Sequence, residues 1–245
     1  MRELTNLSSA VMDPLLAVPS SPRVTYYDDA TGERIELSTA TLANWAAKSG
    51  NLLRDELGAG PGTRVAVMLP AHWQTVGVLL GIWYVGAEAV LGQEILEQGG
   101  CDIACCTVDR LDDADAAVGS TGEVVVLSLD AFGRPVPDLP FGVTDYATSV
   151  RVHGDQITPE RQPGPALDSR SVDDVLTAAA TSATANGLTA ADRVLSTAAW
   201  GTPDDLIDNL LAVYAIGASL IQVANPAPEA LERRKTSEKA TKLLG

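Results

Sequence analysis

Positive charge is scarce in this 245-residue chain: 17 lysines and arginines face 32 aspartates and glutamates, a formal net charge of -15. Such a field repels phosphate backbones and anionic membrane surfaces, so nucleic acid and membrane are excluded as partners. Lysine is scarcer still, with Lys48, Lys235, Lys239 and Lys242 as its only occurrences and none between residues 49 and 234. Long apolar runs are also missing. Val76–Val85 and Leu210–Ile221 contain or adjoin glycine and acidic residues and are too short to span a bilayer, so they read as buried helices. No unbroken apolar stretch opens the chain, so neither a secretory signal nor an anchor is expected, and a cytoplasmic location follows. The three cysteines are odd in number and clustered at 101, 105 and 106, which excludes a disulfide framework and suits reduced core thiols. Their spacing is not that of a zinc site, and in a strand Cys105 and Cys106 point to opposite faces. With only two histidines, His72 and His153, and no nucleophile motif around them, no catalytic, cofactor-binding or metal-ligating residue is assigned.

What is present is a 46% hydrophobic chain, enough to bury one sizeable core or two smaller ones. Leu42, Trp45, Ala46, Leu52 and Leu53 recur at helical spacing between Ser38 and Leu57, with Gly58 and Gly60 as a stop. Arg64–Leu69 reads as a strand, Trp73–Val85 as a helix apolar nearly all round, and Ala87–Leu91 as the next strand. Asp102–Val108 and Glu123–Leu129 follow as buried strands. Strand, helix, strand in this order predicts a parallel sheet with helical crossovers. Residues 130–170 hold many of the prolines and read as a long connection with one strand near Thr148–Val152. Beyond it come a helix at Val172–Ala185, a strand at Arg193–Ala199, a helix at Asp204–Ile216 and a strand at Ala218–Ala224. Thr202 and Pro203 suit the N-cap and first position of the helix at Asp204–Ile216, and the tail from Glu229 to Leu244 reads as a charged helix.

The halves echo one another. Gly62-Thr63-Arg64-Val65, an apolar helix and Tyr84-Val85-Gly86-Ala87 correspond to Ala191-Asp192-Arg193-Val194, an apolar helix and Ala215-Ile216-Gly217-Ala218. The pattern predicts an α/β fold of two repeated, mainly parallel subdomains flanked by helices, residues 1–150 with the connection and residues 151–245 as a partial second copy.

The stretch Leu57-Gly58-Ala59-Gly60-Pro61-Gly62-Thr63-Arg64-Val65-Ala66-Val67-Met68-Leu69-Pro70, continued by Gly81-Ile82-Trp83-Tyr84-Val85-Gly86-Ala87, is similar to the opening of the acyl-adenylate-forming superfamily. That superfamily includes acyl-CoA synthetases, luciferases and peptide-synthetase adenylation domains. A second block, Gly187-Leu188-Thr189 through Asp192-Arg193-Val194-Leu195-Ser196 to Gly217-Ala218, resembles the start of its second subdomain. Between these blocks the resemblance implies a Ser/Thr/Gly-rich loop ending in lysine that holds the ATP phosphates. Here the interval reads Thr158-Pro159-Glu160-Arg161-Gln162-Pro163-Gly164-Pro165-Ala166-Leu167-Asp168-Ser169-Arg170, which cannot form such a cradle and has no lysine. Thr181-Ser182-Ala183-Thr184-Ala185-Asn186-Gly187 echoes the loop's spelling but reads as a helix C-terminus. The family's adenine-contacting motifs and mobile C-terminal domain are also expected to be missing from the chain.

The resemblance places Trp200 where relatives line the acyl or aryl pocket. Trp200, Gly201 and Thr202, with His72 at a helix start, are the candidate ligand-pocket residues. Three readings of function follow: a non-catalytic, truncated synthetase-like pseudoenzyme acting as a binding or assembly module; an AMP-forming acyl-CoA ligase with an altered or partner-supplied ATP site; and an unrelated small-molecule-binding α/β protein. The expected partners are an acyl or nucleotide small molecule and another protein or a second copy, because a shortened fold leaves an apolar face or sheet edge to be covered.

Overall fold

The computed structural model describes residues 5–244, the side chains of Glu94 and Ile95 apart. Helix α1 (Leu7–Leu15) starts at Asn6, whose side chain accepts from the Ser9 amide. Strands β1 (Pro22–Asp28) and β2 (Glu33–Ser38) form an antiparallel hairpin. Helix α2 (Thr39–Asp55) then begins where the Ser38 hydroxyl takes the Thr41 amide. There follow β3 (Arg64–Met68), α3 (Trp73–Tyr84), β4 (Glu88–Val90), α4 (Gln93–Glu97), β5 (Ile103–Cys106), α5 (Leu111–Val118), β6 (Glu123–Val126), β7 (Val143–Asp145) and α6 (Tyr146–Ser149). The remaining elements are α7 (Val172–Ala185), β8 (Arg193–Ser196), α8 (Pro203–Leu206) running through a π-helical stretch (Ile207–Leu211) into α9 (Ala212–Ala215), β9 (Ser219–Ala224), α10 (Pro228–Ser237) and β10 (Lys242–Leu244).

The strands form two five-stranded sheets, ordered β4-β3-β5-β6-β7 and β10-β8-β9-β1-β2. Every pairing is parallel except that of β1 with β2. The main core lies around α3, all of whose residues are buried, with side chains from α1, α2, α7, α9 and the inner faces of both sheets. Glycine sets the closeness of α2 and α3: a Cβ on Gly81 would stand 2.7 Å from the Gly50 nitrogen and 2.7 Å from the Ser49 Cβ.

The repeat is visible bond by bond. The Gly86 amide donates to Trp83 O and the Ala87 amide to Ile82 O, each at 3.1 Å; the Gly217 amide donates to Tyr214 O and the Ala218 amide to Val213 O, each at 3.0 Å. Both helices thus end in the same left-handed cap, with φ of 75° at Gly86 and 92° at Gly217. Glu88 N bonds Thr63 O as Ser219 N bonds Asp192 O, and Asp102 N bonds Arg64 O as Thr241 N bonds Arg193 O. By this correspondence β4-β3-β5 matches β9-β8-β10.

The sheets do not follow chain order, because β1 pairs with β9 and carries β2 into the later sheet; a parallel pairing so distant in sequence leaves no local periodicity. Two expectations need correction. The stretch Thr148–Val152 is the end of α6 and a 3-10 turn (Val150–Val152), while the strand is Val143–Asp145. The Asp145 carboxylate caps α6 by accepting from the Thr148 amide at 2.7 Å, and the helical start so fixed carries on into the 3-10 turn against the strand preference of the valines. The tail is helical only to Ser237. Lys239, at φ 53°, takes the place usually held by glycine in a left-handed cap, with Ala240 N on Lys235 O at 2.9 Å, and the chain turns back as β10. Leu231 and Ala240 then pack on Leu195, Ile221 and Val223, so α10 covers this face of the later sheet and β10 pairs with β8 alone among the described residues.

Candidate functional site

Strand order creates a crevice in the first sheet. From β3 the chain goes to β4 on one side and then to β5 on the other, so the connections leaving β3 and β5 diverge at their C-terminal ends. There Met68, Leu69, Pro70, Leu91 and Thr107 line a cleft of about 430 Å³, with Gln93 and Leu96 of α4 and Asp109 and Arg110 after β5. Trp200 and Gly201 close it from the second sheet.

The loop after β8 holds Trp200 in place through bonds at both ends. Gln222 Nε2 donates to Ala198 O at 2.9 Å, and the Ala198 amide donates to Ser196 Oγ at 3.1 Å. On the other side the Thr202 hydroxyl accepts from the Asp205 amide while the Asp205 carboxylate accepts from the Thr202 amide, both at 3.1 Å, a reciprocal cap with Pro203 at the first helical position. Trp200 is 3% exposed, and its indole N–H has no acceptor among the described residues. A buried donor without a partner costs about 1–3 kcal/mol, so this indole N–H is an energetic weak point in the wall that Trp200 contributes to the cleft.

The four candidate residues therefore separate. Trp200 and Gly201 line the cleft; Thr202 caps α8 and fixes the loop. His72 lies beyond Pro70 in a different cleft, because its side chain turns to the start of α3, where Nδ1 accepts from the Gln74 amide at 3.2 Å. Burial pushes the His72 imidazole below its ordinary range, with the Glu33 carboxylate opposing. Arg110 and Gln93 were not singled out by sequence reasoning; their signal was position alone, immediately beyond strand ends.

The interval that the resemblance assigns to phosphate binding is a strap along β4. Glu160 N donates to Tyr84 O at 2.8 Å, Gly164 N to Gly86 O at 3.0 Å, and Trp83 Nε1 to Ala166 O at 2.8 Å. Asp168 and Ser169 both adopt positive φ, which turns the Asp168 carboxylate onto the amides of Leu91 and Gly92, each at 2.9 Å. A carboxylate thus occupies the backbone donors just before α4, beside the cleft.

The three cysteines are free and buried. Cys105 faces the main core and Cys106 the smaller cluster beneath α5, as alternation along a strand requires. Burial pushes their thiols up to about 12 and about 11. Among the described residues no group of three or more His, Cys, Asp or Glu is placed to hold a metal ion, and no helix is long and apolar enough to cross a membrane.

No protein-family model matches the chain. Among solved structures it is similar to an acyl-CoA synthetase of Brucella canis (TM-score 0.79, 19% identity), covering 97% of this chain and 46% of that one. It is similar also to an anthranilate CoA ligase in complex with anthranoyl-AMP (TM-score 0.75, 16% identity, 99% and 50% covered) and to a benzoate CoA ligase of Burkholderia xenovorans LB400 (TM-score 0.74, 17% identity, 99% and 50%). The chain thus spans about half the length of these synthetases. A TIGR03089 family protein of Mycobacterium tuberculosis (strain ATCC 25618 / H37Rv) is 64% identical over 244 residues, covering 98% of each chain. The fold is that of the N-terminal part of acyl-CoA synthetases, and the chain belongs to the TIGR03089 family.

Proposed function

We propose that this protein is a non-catalytic binding module that takes a small molecule with an apolar body and an oxygen acceptor into the Trp200 cleft. The observation that carries the non-catalytic part is the 158–170 strap, bonded down along β4 with Asp168 turned inward and no lysine in the interval. Phosphate transfer relies on positioning and on positive charge where negative charge develops, and a seated carboxylate works against both. The apolar walls of the cleft and the unpartnered Trp200 N–H support an acyl or aryl acid, the class of molecule named for the CoA ligases of similar fold. Binding is tested by thermal denaturation with aliphatic and aromatic acids, acyl-CoA, AMP and ATP. A ligand bound only by the folded state raises the midpoint. The acid series is expected to do so, and Trp200→Ala to abolish the effect; stabilisation by ATP alone contradicts the reading.

The same proposal includes assembly. Among the described residues edge strand β10 has one side unpaired, with Leu243 53% exposed. Its counterpart β5 is flanked on both sides, by β3 and β6. Self-association through this edge is the expected result by light scattering, and a monomeric mass at micromolar concentration counts against it. The buried free thiols support a cytoplasmic setting.

A further inference from the structure

A second cleft, about 940 Å³, lies between the two sheets on the far side of Pro70 from Trp200. Tyr26 and Glu33 of the β1–β2 hairpin form one wall, His72 the floor, and residues 128–134 the mouth. His72 is 2% exposed and its Nε2 has no partner among the described residues. Because Nδ1 accepts from the Gln74 amide, the proton of the neutral ring sits on Nε2, which makes that atom an obligate donor. Opposite stands Glu33 Oε1 at 3.8 Å, too far for a hydrogen bond and held by the Trp73 indole N–H at 3.4 Å.

The other charged groups of this cleft are already engaged. Asp28 accepts from the Ala30 amide and from Asn225; Asp130 accepts from the amides of Phe132 and Arg134 and pairs with the Arg134 side chain. Arg34 is turned to Tyr27, Glu36 and Glu238. No free cation is left among the described residues to receive an acid, and an ammonium ion cannot accept from the His72 N–H. A hydroxyl both accepts from an imidazole N–H and donates to a carboxylate. At the mouth Phe132 is 81% exposed, although its loop is fixed by Ser128 Oγ on Arg134 O at 2.6 Å and by Gln74 Nε2 on Asp130 O at 3.1 Å. The Arg134 guanidinium carbon lies 5.8 Å from the Phe132 ring centroid on one side, and the opposite face is left for an offset-stacked ring.

We propose that this cleft binds a neutral, hydroxyl-bearing ring compound, one hydroxyl bridging His72 Nε2 and the Glu33 carboxylate from the cleft side and the ring lying against Phe132. The site is separate from the Trp200 cleft and does not depend on its occupant. Sugars and phenols share the required chemistry, and the experiment distinguishes them. With two histidines in the chain, histidine-selective ¹⁵N NMR resolves the His72 ring directly. Full-length protein is titrated with monosaccharides in one arm and simple phenols in the other, with choline and acetate as charged controls. A saturable shift of the His72 Nε2–H resonance is expected in one neutral arm. Glu33→Ala and Phe132→Ala each weaken binding by about tenfold or more, and Phe132→Ala does so at unchanged thermal stability. His72→Asn, which can still cap α3, folds and loses the site. No saturable shift in either neutral arm, a stronger response to choline or acetate, or affinity unchanged by Phe132→Ala and His72→Asn overturns the proposal.

Discussion

Replacing Gly81 by alanine tests how tightly the core is built. In a free helix the change stabilises by about 1 kcal/mol, since glycine is that much the poorer helix former. Here the new Cβ meets the Gly50 nitrogen at 2.7 Å, the Ser49 Cβ at 2.7 Å and the Ser49 carbonyl carbon at 3.0 Å. None of these is the end of a flexible side chain, so relief requires α2 and α3 to separate. Overpacking of this kind costs about 1–3 kcal/mol and occasionally more. Because only backbone and Cβ atoms are involved, the cost falls at or above the upper end, leaving Gly81→Ala net destabilised by about 2 kcal/mol after the propensity gain. Gly77, one turn earlier in α3, is the internal control. Its Cβ would stand 3.4 Å from the Trp45 Cβ, an ordinary contact, so Gly77→Ala keeps the propensity gain. The two variants should therefore differ by about 3 kcal/mol, more than a hundredfold in the folding equilibrium. Urea denaturation of both at pH 7 measures it. If Gly81→Ala proves as stable as Gly77→Ala, the close helix contact is wrong.

Glu238 gives a pH-dependent prediction. Burial alone would raise its carboxyl, but hydrogen bonds from Tyr27, Arg193 and Arg34 hold it below the ordinary value of 4.5. Its stabilisation is therefore present above that value and is lost as pH falls through the folded one. Glu238→Gln should cost about 2 kcal/mol at neutral pH and progressively less below about pH 4.5; an equal cost at pH 7 and pH 3 refutes this. Thr202→Ala removes the cap before α8 and should lower stability by about 1 kcal/mol in thermal or urea unfolding, with the loss of the acid-induced shift in the Trp200 cleft as the functional readout. With Cys105 and Cys106 raised to about 12 and about 11 and all three thiols buried, a thiol reagent at pH 8 should react with the native protein far more slowly than with the urea-unfolded chain; rapid labelling without urea is the contrary result.

Elements defined by local pattern were legible in the sequence. The amphipathic α2 with its Ser38 cap, the uniformly apolar α3, and the glycines closing both repeat units all follow from spacing and conformational freedom. The hairpin β1–β2 and its pairing with β9 were not, because β1 becomes a strand through a partner at the other end of the chain. Nor was β10, which depends on Lys239 adopting a conformation that lysine rarely takes. The sequence singles out Trp200 through the resemblance and Thr202 through its N-cap chemistry, and the fold puts Trp200 on the cleft wall and Thr202 at the start of α8. The separation of His72 from them was not legible, because Pro70 stands between two clefts that adjacent residues enter from opposite sides. The missing lysine could be read directly, whereas Asp168 seated on two backbone amides required the path of the strap.

The proposal that this chain keeps the synthetase fold without adenylating chemistry is tested most directly by carboxylate-dependent exchange of labelled pyrophosphate into ATP, run across aliphatic and aromatic acids with magnesium. Exchange indistinguishable from a protein-free control, for acids that do stabilise the protein thermally, is the predicted result. Exchange that depends on both protein and acid contradicts it.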